Sequence, residues 1–137
     1  MSKFSGTVKA NNRMGTRLGY PTANILFSDE NLSGIYTGMT KLLYSDDPKV
    51  TEAFKANNLP SVIFIGRPEI FGDKTLRLES HILDFPMMDL YGSVIEVEIF
   101  EKLRDSKKFK SEEKLIIQMR QDEQKAREWF RKRQTPS

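Results

Sequence analysis

Residues 93–102, SVIEVEIFEK, alternate: Ile95, Val97 and Ile99 fall on one side, Glu96 and Glu98 on the other. A period of two demands an extended strand with one buried and one solvated face, the pattern of an antiparallel sheet. Four more β-rich runs, 4–9 (FSGTVK), 34–44 (GIYTGMTKLLY), 61–66 (SVIFIG) and 76–84 (LRLESHILD), lie between turn-forming clusters and read as strands too. Several such strands lead to a closed or nearly closed barrel. Residues 46–60 (DDPKVTEAFKANNLP) are polar and read as a surface excursion with a helical turn around Thr51–Asn57. From Ser111 the period changes. Leu115, Ile116, Met119, Ala126, Trp129 and Phe130 recur at spacings of three and four, with Glu112 and Glu113 where a helix dipole favours negative charge. The expectation is a mainly β domain over 1–137, an antiparallel barrel over about 3–103 and a long C-terminal helix over about 111–133.

Composition removes several chemistries. With no cysteine there is no disulfide framework, thiolate zinc site or cysteine nucleophile, and one histidine excludes a multi-histidine metal centre. Any metal must use oxygen ligands. The N-terminus MSKFSGTVKA lacks the apolar core of a signal peptide and no apolar run approaches membrane-spanning length, so the expected location is cytoplasmic, with no membrane partner. Residues 101–137 carry 12 Lys/Arg against 7 Asp/Glu. Interspersed acids and few stacking aromatics make this tail a solvated helix face rather than a nucleic-acid surface.

The segment GTRLGYPTAN (15–24) opens no helix, so it is not a helix-N-terminal nucleotide loop. Gly15 and Gly19 allow close backbone approach to a polyphosphate, and Arg17 or Arg13 adds charge. Beyond Pro21, Thr22 offers a hydroxyl and Asn24 an amide, hard oxygens of the kind magnesium accepts beside phosphate oxygens. Ordinary turn chemistry accounts for the same residues. Further on, Glu79 stands within a strand and shares parity with Arg77, His81 and Leu83. A carboxylate there is either an outward, solvated residue or a functional general base. A lone strand histidine such as His81 is more often structural, and Tyr91 either anchors the 84–92 turn or lines a pocket.

In order, Gly6-x-Val8, GTRLGYPTAN, Gly34-Ile35-Tyr36, the 60–68 run PSVIFIGRP, LESHILDF (78–85), DLYG (89–92), Leu103-Arg104 with Lys108-Phe109, and the helix bearing Gln118 and Asp122 resemble the riboflavin kinase family over nearly the whole chain. The resemblance implies a six-stranded antiparallel barrel with a C-terminal helix, and ATP-dependent phosphorylation of riboflavin to FMN with ADP as the second product. It implies Glu79 as catalytic base. It also implies that Thr22 and Asn24 serve Mg2+ and the nucleotide, and that Gly15, Thr16, Arg17 and Gly19, with Pro21, form an arch over the ATP phosphates. The flavin is implied to lie toward the C-terminal helix, where Trp129 or Phe130 either packs beside it or fills the core; core is the preferred reading for both.

Two loops depart from the family pattern. Ala10-Asn11 stands where a second glycine is usual, and Arg67-Pro68-Glu69-Ile70-Phe71 is shorter by about a residue and lacks a Thr. These departures support an alternative, a catalytically weak flavin-binding or regulatory barrel; a nucleic-acid-binding barrel is the third reading. Because the sequence starts at the barrel, without an adenylyltransferase domain, FMN is the expected product. A monomer is expected.

Overall fold

The computed structural model describes residues 2–9, 22–29, 31–67 and 76–134. Strands β1 (Lys3–Thr7), β2 (Ala23–Leu26) and β3 (Gly34–Tyr44) precede the short helix α1 (Pro48–Ala53). Strands β4 (Asn58–Gly66), β5 (Arg77–Ile82) and β6 (Val94–Arg104) then lead to helix α2 (Glu112–Gln134). The strands form one sheet in the order β1-β6-β3-β4-β5-β2, with every pairing antiparallel. Its two edges approach each other just beyond β1. There Lys9 N donates to Asn24 O at 2.8 Å, nearly closing the barrel.

Each strand inferred from the sequence is present, with ends shifted by up to three residues: β4 begins at Asn58 rather than Ser61, and β6 runs on to Arg104. The sixth strand, β2, is absent from the periodicity reading for a physical reason. Three of its four residues are buried in succession, so it shows no alternation. Helix α1 starts earlier than the expected turn because the Asp47 side chain accepts from Lys49 N at 2.9 Å, capping a helix with Pro48 in its first turn. Ser111 caps α2 in the same way, accepting from Lys114 N at 3.2 Å. Acidic Glu112 and Glu113 lie in the first turn of α2 and Arg131, Lys132 and Arg133 in the last, matching the helix dipole at both ends.

Two apolar layers result. Ile25, Ile63, Ile65, Leu78, Ile82, Ile95, Val97 and Ile99 fill the barrel interior. Outside it, Ile35 and Val62 meet Ala126 and Phe130 of α2, with Phe64, Phe100, Leu103 and Trp129 around them. Strand β4 is covered on both faces, which explains its unbroken VIFI run. Trp129 stacks on Phe100 with centroids 5.5 Å apart, so both helix aromatics belong to this layer, as the sequence reading preferred. Buried hydroxyls cross the interior: Thr40 Oγ1 lies 2.8 Å from Ser61 Oγ and 2.6 Å from Ser80 Oγ, linking β3 to β4 and β5. At Gly38, where β3 changes register against β6, a Cβ would lie 2.8 Å from Ile63 Cγ1 and collide with the Glu98 carbonyl. Only glycine admits so close an approach of neighbouring strands.

Polar contacts then fix the helix to the barrel. The fully buried Asp122 carboxylate accepts from Arg104 Nε and Nη2, each at 2.8 Å, and from Gln118 Nε2 at 3.1 Å. Farther along α2, Arg127 forks onto Asp84 at 2.8 and 2.9 Å and bonds Glu123 at 2.9 Å. Its guanidinium holds the Asp84 carboxyl below the ordinary carboxylate value. A depressed carboxylate pKa stabilises the fold above the unfolded-state value and loses that contribution as pH falls through the folded-state value. Asp84 is exposed, so the contribution is small and sensitive to salt.

Candidate active site

Alternation in β5 sorts its side chains: Leu78, Ser80 and Ile82 are buried in the barrel, while Arg77, Glu79 and His81 lie half-buried on the outer face. Register then aligns three strands. Glu79 stands directly opposite Asn24 of β2 on one side and Phe64 of β4 on the other. Directly opposed residues share a face, so Asn24, Glu79 and Phe64 form one row on the outside of the barrel. Arg77 and His81 flank it.

Asn24 is 1% exposed although polar, and both ends of its amide are satisfied. Nδ2 donates to the Lys9 carbonyl at 2.7 Å and Oδ1 accepts from Arg77 Nη1 at 2.8 Å. The Lys9 carbonyl can only accept and the guanidinium can only donate, so the amide orientation is fixed, with its oxygen toward the cation. Lys9 and half-buried Thr22 are the described residues on either side of residues 10–21, and Thr22 lies two residues before Asn24. Gly15, Thr16, Arg17, Gly19 and Pro21, with the departures at Ala10-Asn11 and 68–71, lie outside the described residues.

His81 Nε2 is 3.8 Å from Glu123 Oε1, an ion pair when the imidazole is protonated. Through Glu123, Arg127 and Asp84 it joins the contacts that hold α2 to the end of β5, in keeping with a structural role. Tyr91 is exposed and its N–H donates to Asp89 Oδ1 at 2.8 Å, within the turn that Gly92 completes at φ 87°. Strand parity places Arg77 on the face of Glu79 but does not reveal its contact with Asn24. That contact joins residues 53 apart and becomes visible only through the β2–β5 register.

Among the described residues no group of three or more His, Asp or Glu side chains is placed to hold a metal. Thr22 carries a hydroxyl and Asn24 an amide oxygen, and the Asn24 oxygen already accepts from a positively charged partner. Hard oxygens of these two types are chemically suited to a divalent ion whose remaining ligands come from phosphate and water.

A family model described as riboflavin kinase matches residues 1–130. The bifunctional riboflavin kinase/FMN adenylyltransferase of Escherichia coli K12 is 35% identical over 93% of this chain, and the RNA-binding riboflavin kinase RibR of Bacillus subtilis is 32% identical over 89%. The chain spans 37% and 48% of those two proteins, less than half of either. A crystal structure of riboflavin kinase from Trypanosoma brucei shares the fold, with a TM-score of 0.59 and 22% identity over 95% of this chain and 80% of that one. With its barrel, its C-terminal helix and the match over nearly its whole length, the chain belongs to the riboflavin kinase family.

Proposed function

We propose that the chain is a riboflavin kinase, transferring the γ-phosphate of ATP to the ribityl 5′-hydroxyl of riboflavin to give FMN and ADP. The observation that carries this reading is the direct opposition of Asn24 and Glu79 across β2 and β5, beside the start and end of segment 10–21. Thr22 and Asn24 hold Mg2+ with the nucleotide, and Gly15, Thr16, Arg17, Gly19 and Pro21 line the phosphates. The metal, when bound, neutralises phosphate charge. Glu79 takes the proton of the 5′-hydroxyl as its oxygen bonds to the γ-phosphorus; the bond from that phosphorus to the bridging oxygen breaks, and ADP leaves with the electron pair. Phosphoryl transfer depends mainly on positioning and charge neutralisation, so this small inventory is sufficient.

The purified chain incubated with riboflavin and Mg-ATP should yield FMN by chromatography, and none without nucleotide. Bound but unconverted riboflavin would overturn the kinase reading. Thr22→Ala should raise the Kd for Mg-ATP about 10- to 100-fold, as expected for losing one bond to a charged group, with a smaller change for riboflavin. Unchanged Mg-ATP affinity would remove Thr22 from the metal position.

We also propose a monomeric cytoplasmic enzyme with no nucleic-acid partner. Among the described residues, no helix is long and apolar enough to cross a membrane. Basic side chains in the C-terminal region are engaged by acids in the Arg104–Asp122, Arg127–Glu123 and Lys132–Glu128 pairs. Low micromolar DNA or RNA should therefore show no measurable binding at physiological salt. Salt-dependent binding comparable to that of a true nucleic-acid binder would contradict this.

A further inference from the structure

The Asn24 amide has one oxygen and no freedom to turn it. Its Nδ2 is committed to the Lys9 carbonyl at 2.7 Å, the residue is 1% exposed, and Oδ1 accepts from Arg77 Nη1 at 2.8 Å. A divalent ion on that oxygen would meet the guanidinium at contact distance, and two like charges in a half-buried site repel strongly. We propose that Arg77 is an intramolecular competitor for the metal position. Its guanidinium and the divalent ion of the nucleotide complex take Asn24 Oδ1 in alternation, so Arg77 tunes metal–nucleotide affinity.

The inference rests on the kinase reading for its ligand and on the Arg77–Asn24 contact for its substance. Arg77 lies two residues before Glu79 on the same face of β5. A guanidinium displaced from Asn24 therefore stays beside the row, where its planar set of donors suits phosphate oxygens. Arg77 opposes the metal directly, and that opposition does not act on nucleotide without metal. Metal-bound and metal-free nucleotide should thus respond differently to its removal.

The test measures the Kd of Mn2+-ADP and of ADP with EDTA for the parent chain, Arg77→Met and Arg77→Gln. Apparent affinity falls with the fraction of protein whose binding position is taken, so removing the competitor should tighten Mn2+-ADP about three- to tenfold. ADP without metal should bind unchanged or more weakly, so the preference for the metal complex rises by at least about threefold. Gln retains a neutral donor for Asn24 and should show the same direction if the Met variant fails to fold. An unchanged or reduced preference in the folded variants overturns the proposal while leaving the kinase reading intact. A parent chain that binds no Mn2+-ADP overturns both.

Discussion

Glu79→Gln is expected to lower kcat about a hundredfold to ten-thousandfold while leaving flavin binding and the thermal midpoint near the parent values. That loss corresponds to about 3–5 kcal/mol of transition-state stabilisation. Glutamine keeps the shape of the side chain and much of its hydrogen bonding but cannot accept the 5′-hydroxyl proton at neutral pH. The position favours a clean separation of effects, because Glu79 is half-buried on the outer face, apart from the apolar barrel interior. If the carboxylate only supports β5, the outcome reverses: the midpoint falls and kcat per folded molecule stays near the parent value. A folded, flavin-binding variant with parental kcat would remove Glu79 from the mechanism.

Asp122→Ala should have the opposite signature. The carboxylate is completely buried and meets Arg104, whose side chain is 15% exposed, through two bonds of 2.8 Å. Removing one partner leaves a guanidinium largely withdrawn from water with its charge uncompensated, which costs about 3–5 kcal/mol. Domains of this kind have total stabilities of about 5–15 kcal/mol, so the loss should lower the thermal midpoint by roughly 10–20 °C. Adding Arg104→Met should recover much of the loss, since a buried pair replaced by apolar groups is often neutral. A midpoint within about 2 °C of the parent value would show that the pair contributes little to docking α2.

The two variants separate what the sequence made legible from what it did not. The alternation of Ile95, Val97 and Ile99 identified β6 because that strand has one buried and one wetter face. Ser111 and the acids after it marked the start of α2 for local electrostatic reasons. Strand β2 left no such trace, being short and mostly buried, and only family resemblance supplied a sixth strand. The site followed the same division. Parity put Glu79 beside Arg77 and His81, yet parity alone leaves a solvated carboxylate and a catalytic one indistinguishable. The register against β2 brings Asn24 opposite Glu79, and that pairing depends on closure between distant segments. The buried Arg104–Asp122 pair was equally hidden, because neither local pattern shows that two charges 18 residues apart share an interior position.

The location of the metal–nucleotide complex can be measured directly by adding Mn2+-ADP to isotopically labelled protein and following paramagnetic broadening of assigned amide signals. The Asn24 side-chain amide and the backbone amides of Thr22, Asn24 and Glu79 should broaden first and most strongly as Mn2+-ADP is added. Broadening centred elsewhere on the barrel, with the Asn24 and Glu79 signals unaffected, would contradict the assignment of this outer face as the phosphoryl-transfer site.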